Sequence, residues 1–267
     1  LNTIFMRKSI AQSILVLIIV FSQFSLFAED GESLEPITIT VQKGETLSLI
    51  SERHLSDPRR WPELLKHNKI PNPDLIKPGL SLVVPVFLRK PVVGVTEFVI
   101  GSVEWNGTGG KGPWVPLKLG QELHPNDQIK TTGKGKTDVH INNVGMVRIL
   151  TNSHFEVKGA EKKGGAVTVA LFKGSLDAKV TKSNPPTTEH KFNIVSPSST
   201  AGVRGTEFRV ELDEKLSSTI SCFEGVVDVA AQGKSVELTQ GMATFVEKGK
   251  SPVQPYKIPE APRLKEE

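Results

Sequence analysis

Ile37-Thr-Ile-Thr-Val-Gln-Lys-Gly-Glu-Thr-Leu47 and Ile76-Lys-Pro-Gly-Leu-Ser-Leu-Val-Val-Pro85 bracket a short segment with a self-contained pattern. The first run begins as a strand, Ile37 to Val41, and turns at Lys43-Gly44-Glu45. Leu47, Ile50 and Ser51 follow at helical spacing, and Thr46 has the side-chain oxygen that caps a helix start. Pro58 interrupts the pattern. A second helix is expected from Arg60 or Trp61, because Pro62 suits a first turn, where its missing N–H has no intrahelical partner to lose. It runs through Leu64, Leu65 and Lys66 to Asn68. Pro71-Asn72-Pro73-Asp74 and Pro78-Gly79 are turn chemistry, and Leu80 to Val84 reads as a strand. The expected unit is strand, helix, helix, strand, with the strands antiparallel and Ile50, Trp61, Leu64, Leu65 and Val84 as its core.

This order resembles the lysin motif (LysM): strand, Gly-Asp/Glu-Thr-Leu, two short helices, Asn, Ile, x-Pro-Gly, strand, Pro. Glu45 stands where Asp is commoner, and Ile37 and Ile39 replace the aromatic often found in the first strand. The resemblance implies binding to peptidoglycan or a related polymer of N-acetylglucosamine. It places the glycan groove between two loops, with Gly44, Glu45, Thr46 and Leu47 on one side and Pro71, Asn72, Pro73, Leu75 and Ile76 on the other. Loop backbone groups would hydrogen-bond an acetamido group while apolar side chains cover the sugar face. A single such site buries little area, so its affinity is expected to be modest and raised by multivalent contact with a polymer.

Beyond a linker at 88–94 containing Arg89-Lys90-Pro91, helical periodicity fades. Val95 to Val99, Val139 to Ile141, Val144 to Leu150, Ala166 to Phe172, Phe192 to Val195, Phe208 to Leu212, Thr219 to Phe223 and Val236 to Leu238 suit strands separated by turn residues. The fold class expected is a small α+β (βααβ) domain over 37–87, followed by a mostly-β domain over 95–247, an antiparallel sandwich or roll.

A repeat runs through this second region. Phe172-Lys-Gly174-Ser-Leu176-Asp-Ala178 aligns with Phe223-Glu-Gly225-Val-Val227-Asp-Val229, and Val99-Ile-Gly101-Ser-Val103-Glu-Trp105 is a fainter copy. Alternation puts Leu176, Ala178, Val227 and Val229 on a buried face and Asp177 and Asp228 outward, where charge belongs. The glycines are expected at bulges or positive φ. The region resembles the FecR domain. The carrying residues are Leu119-Gly120, Leu123, Asp127 to Gly133, Thr137 to Ile141, Val147-Arg-Ile149, Phe172-Lys-Gly174, Ile194 to Pro197, Val203-Arg-Gly-Thr-Glu-Phe208, Phe223-Glu-Gly225 and Leu238 to Gly241. The resemblance implies an extracytoplasmic β domain that contacts partner proteins, including an envelope protein. Regulators of that type precede this domain with a sigma-factor-binding segment and a membrane helix, whereas here a leader and the first module stand in their place.

The ends set the compartment. Arg7 and Lys8 precede an apolar run ending at Ala28, before Glu29-Asp30, which is the layout of a cleavable signal peptide over 1–28. The apolar stretch is short for the roughly 20 residues of a membrane span, so no stable span is expected after cleavage. Export to the periplasm or cell envelope follows. Loss of Arg7 and Lys8 lowers the formal charge of +4 by two, so basicity offers no case for nucleic acid. The single cysteine, Cys222, excludes an intramolecular disulfide. The tail at 248–267, with Pro252, Pro255, Pro259 and Pro262, reads as disordered.

Several runs invite a catalytic reading and fail on spacing. Gly107 to Gly112 and Gly133 to Thr137 lack the phosphate-loop spacing and a following helix, and are expected to be hairpin loops. His54, His67, His124, His140, His154 and His190 show no paired ligand spacing, so no metal and no cofactor is expected. Cys222 alternates with Ile220 and lacks the flanks of a cysteine transpeptidase, and no nucleophile elbow appears. The expectation is a non-enzymatic envelope protein that binds peptidoglycan and presents a β domain for contacts. The alternatives are a component of a FecR-type signalling or nutrient-sensing system, or a peptidoglycan-processing enzyme.

Overall fold

The computed structural model describes residues 35–160, 165–182 and 190–258. The leader expected at 1–28 lies outside the described residues. The first module has β1 (Ile37–Thr40), α1 (Leu47–His54), a 3-10 turn (Pro58–Arg60), α2 (Trp61–His67) and β2 (Ser81–Val84). β1 and β2 are antiparallel, with Ile37 opposite Val84 and Thr40 opposite Ser81. Thr46 Oγ1 accepts the Leu49 N–H at 3.2 Å and so caps α1, as its position predicts. Asn68 ends α2 and ties it to the sheet. Its Nδ2 donates to Leu64 O (2.9 Å) and Val83 O (2.8 Å), and its Oδ1 accepts the Val83 N–H (2.7 Å). The side-chain amide acts there as one more peptide unit along β2.

The module buries two small clusters rather than one core. Val41, Leu47, Ile50 and Leu82 form one, against which Trp61, Leu65 and Ile76 pack. Leu55, Leu64, Val84 and Leu88 form the other. Trp61 is thus a packing residue. Leu88 follows the expected end of the module and is fully buried in it, Leu55 makes an antiparallel bridge with Arg89, and the Lys90 N–H donates to His54 O at 2.8 Å. Val93 already belongs to the next core. The stretch 88–94 is therefore built into both neighbours. Its charged and proline residues give it the composition of a linker, but its apolar ends are both buried.

The second region contains β3 (Gly94–Asn106), β4 (Val115–Pro116), β5 (Glu122–Leu123), β6 (Gln128–Ile141), β7 (Gly145–Ile149), β8 (His154–Ala160), β9 (Val167–Lys173), β10 (Ser175–Val180) and β11 (Phe192–Val195). β12 (Thr200–Val203), β13 (Glu207–Leu212), β14 (Ser218–Glu224), β15 (Val226–Ala231), β16 (Lys234–Thr239), β17 (Met242–Val246) and β18 (Tyr256–Lys257) follow. Among the described residues these join in one rolled sheet. Its order is β16-β15-β12-β11-β9-β8-β6-β7-β10-β13-β14-β17-β18, with β3 pairing β4, β5 and β6. The described pairs are antiparallel except β9 with β11. The long β6 joins the two halves: Gln128 to Lys130 pair with β8, and Thr137 to Ile141 pair with β7.

The chain keeps crossing between these halves, and small turn residues mark the corners. β9 leads to β10 through Gly174 (φ 81°), β12 to β13 through Gly205 (φ 59°), and β14 to β15 through Gly225 (φ 85°). The corners are crowded as well as twisted. A Cβ on Gly225 would lie 2.7 Å from Gly205 O, and one on Gly174 would strike Ser153. The repeated glycine of the sequence is thus the residue at which a strand leaves one half for the other. Alternation holds as expected: Leu176, Ala178, Val227 and Val229 are buried in the main core, with Phe155, Phe192 and Phe208. Asp177 and Asp228 point outward, to Arg209 (Oδ1 2.5 Å from Nε) and His190 (2.7 Å).

Two expectations fail. Gly133 to Thr137 is not a hairpin loop but a bend inside β6, where Gly135 packs on Ser102 O so closely that a Cβ has no room and Gly101 (φ 70°) bulges opposite. A strand can carry several glycines when it must bend across two half-sheets. The tail also departs from its composition as far as Ile258. The Val253 N–H donates to Phe245 O (3.0 Å), Thr244 Oγ1 donates to Val253 O (2.7 Å), and Tyr256 and Lys257 extend the sheet beside β17. Pro252 and Pro255 precede β18, an edge strand, and occupy no position in it. Residues 259–267 lie outside the described residues.

Candidate glycan cleft

The two loops assigned to the cleft rest on one cluster, since Leu47 and Ile76 both pack in it. Within the first loop, side chains are committed to structure. Gly44 adopts φ 85°, which a residue with a Cβ takes only under strain. The Glu45 side chain is 11 % exposed, accepts the Gln42 N–H at 2.7 Å through Oε2, and pairs with Arg53 Nη1 through Oε1. The Thr46 hydroxyl is the helix cap and Leu47 is buried. The polar groups this wall leaves to a ligand are therefore those of its backbone.

The second loop differs. Asn72 makes an Asx turn, its Oδ1 accepting the Asp74 N–H at 3.0 Å and its carbonyl the Leu75 N–H at 3.2 Å. That turn lifts Leu75 into solvent, 72 % exposed, while Pro71 and Asn72 are exposed and Pro73 and Ile76 half-buried. An exposed Leu beside a rigid turn is suited to cover a pyranose face. Of the nine expected residues, Leu47 and Ile76 share one cluster, the Gly44 to Thr46 turn is fixed by its own backbone and side-chain bonds, and Leu75 faces outward.

Sequence reasoning misses Arg53 entirely. It lies eight residues from Glu45, outside the pattern that carries the loop, and it meets Glu45 only because α1 folds back along the turn. Arg53 also lies at the seam with the β domain. Its Cγ is 3.2 Å from where a Cβ on Gly107 would sit, and Lys111 Nζ is 3.5 Å from Glu52 Oε1. On the β side Asp127 Oδ2 accepts from Trp105 Nε1 and from the His124 N–H, each at 3.0 Å. Buried Lys90 donates to Glu52 O and faces Asp127. Burial lowers the Lys90 pKa and raises that of Asp127, each partly opposed by the other's charge. His54, enclosed at this seam, is lowered from 6.5 to about 3 by burial and then by Arg53, His124, Lys90 and Arg89.

Elsewhere, Cys222 is fully buried, and burial pushes its thiol up to about 11, with Sγ 3.4 Å from Gly225 O. It is a core residue at neutral pH. Among the described residues no three His, Cys, Asp or Glu side chains converge as a metal cage requires. An open cavity of about 530 Å³ lies beside the corner at Gly205, floored by Val180 and Thr206 and rimmed by Lys179, Lys182, Glu207 and Glu224. Among the described residues no helix is long and apolar enough to cross a membrane.

Comparison with known proteins agrees with this division. Residues 39–85 match the family described as LysM domain, and residues 127–228 match the family described as FecR protein. No curated protein matches the sequence. Two crystal structures of a Parabacteroides distasonis protein, described as a candidate anti-sigma factor, align at 14 % and 15 % identity with TM-scores of 0.41. Each alignment covers 49 % of this chain and 59 % of the other, so less than two thirds of that protein is spanned. The chain therefore carries a LysM domain match followed by a FecR match, in that order.

Proposed function

We propose that this is an exported, non-enzymatic cell-envelope protein that holds peptidoglycan through its LysM cleft and presents its FecR domain to a partner protein. The observation that carries the reading is the LysM match over 39–85 together with the arrangement of its two loops. Two loops sit on one cluster, the first is held by its own side chains, and Leu75 stands out of the second. LysM domains bind N-acetylglucosamine glycans, and such a cleft offers backbone amides to the acetamido group and an apolar cover to the ring. The buried, protonated Cys222 supports the absence of thiol catalysis. The test is co-sedimentation of the full chain with purified peptidoglycan. Retention in the pellet, weakened by soluble chito-oligosaccharide, is expected; protein left wholly in the supernatant overturns the reading.

The FecR match favours one second reading, that the protein belongs to a signalling or nutrient-sensing system and the wall contact only places it. Crosslinking in cells separates the two: recovery of a receptor or membrane regulator on the FecR domain supports signalling.

A further inference from the structure

The cleft's first wall does not stand alone. Glu45 ties down the Gln42 N–H with one carboxylate oxygen and Arg53 with the other. The Arg53 side chain is 20 % exposed, its Nε is buried without a hydrogen-bond partner, and its stem fills the space beside Gly107 of the β domain. Gly107 has no slack, since a Cβ there would lie 2.5 Å from the Trp105 ring as well as 3.2 Å from Arg53 Cγ. Trp105 is anchored in turn by its hydrogen bond to Asp127. A continuous line of contacts therefore runs from the glycan turn to the start of the FecR-matching region.

Resting on the glycan reading above, we infer that Arg53 is a positioning residue through which the FecR domain sets the shape of the cleft, so that glycan binding and the Trp105 environment are linked. The direction of the effect follows from packing. A ligand that draws the Gln42 to Thr46 turn toward itself moves Glu45, and the ion pair carries Arg53 with it. Arg53 cannot move without opening space beside Gly107, the residue that packs on the Trp105 ring, because close-packed contacts transmit displacement rather than absorb it. The buried Arg53 Nε gives the ligand-free arrangement an uncompensated polar group, so a second arrangement that keeps the Glu45 ion pair loses no hydrogen bond at Nε. Linkage is reciprocal: whatever holds Trp105 and Gly107 in place also holds the cleft.

The experiment is an NMR titration of the full chain with the N-acetylglucosamine hexamer. Wild-type protein is expected to show shifts at Gly44 to Leu47, at Asn72 to Ile76 and at the Trp105 indole N–H, all with one midpoint. The indole is assigned by Trp105→Phe, since the chain has 3 tryptophans. Arg53→Ala is expected to weaken binding by about fivefold or more, the low end of typical coupling, and to silence the indole response. Arg53→Lys keeps the charge and is expected to restore part of both. A silent indole in wild-type protein whose cleft amides shift overturns the inference without any variant, as does wild-type affinity in folded Arg53→Ala. Cleft amides that do not respond in wild-type protein overturn the glycan reading, and the inference with it.

Discussion

Asn68 replaces a missing strand with one amide. Its three hydrogen bonds join α2 to β2 in a module whose clusters are too small to hold both elements by burial alone. Asn68→Ala leaves the Val83 N–H and two carbonyls without that partner. A loss of about 1–3 kcal/mol is expected in denaturant unfolding, the cost of orphaned polar groups in a partly buried site. Leu75 presents the opposite case. Its side chain is mostly in solvent, so Leu75→Ala is expected to leave the melting temperature unchanged while reducing retention on peptidoglycan severalfold. Cys222 supplies a third check. A thiol with a pKa near 11 in the core should resist iodoacetamide at pH 7.5 in the native protein and react on unfolding.

The strands of the FecR domain cross between half-sheets at glycine corners. Gly225 and Gly241 have nearly the same backbone angle, φ 85° and 79°, yet different surroundings. A Cβ on Gly225 meets Gly205 O at 2.7 Å, whereas one on Gly241 meets nothing within 4 Å. Gly241→Ala should cost only the left-handed backbone strain, about 1–2 kcal/mol. Gly225→Ala adds displacement of a second corner and should cost clearly more, measured as a greater drop in unfolding midpoint. Equal losses would mean the corners are not packed on one another. The Val203 to Phe208 run gains its sense here. Val203 and Phe208 are core residues, and Thr206 Oγ1 lies 2.9 Å from Val226 O, so the turn at Gly205 is fastened to the crossing at Gly225.

Both domains share a polar seam, and this makes stability depend on acid. His54 has a folded-state pKa of about 3 against 6.5 when unfolded, so the unfolded chain binds the extra proton between those values. Its contribution to stability is intact above pH 6.5 and declines as pH falls toward 3. Asp127 acts oppositely: its pKa is raised by burial, so its charged form weighs against folding above its ordinary range and that burden lifts in acid. Chemical unfolding measured at pH 7 and pH 4.5 should show lower stability at the acidic value. His54→Gln should flatten the dependence, and an unchanged slope would show that His54 titrates freely.

The local pattern of the chain was enough for the four elements of the LysM module, the Thr46 cap, the alternating faces around Leu176 and Val227, and the need for glycine at 174 and 225. Each of these depends on neighbours within a few residues, on period-two burial, or on backbone angles that one residue type tolerates. The crossings between half-sheets, the bend inside β6, the tail laid along β17 and the Glu45–Arg53–Gly107 contacts were decided by the folded chain. Periodicity records which side of a strand is apolar but not which distant strand it will meet. The Arg89-Lys90-Pro91 run likewise reads as a linker, although Leu88 and Val93 on either side are buried in different cores. Such contacts join residues far apart in sequence, and their energies depend on packing that exists only once both partners are in place.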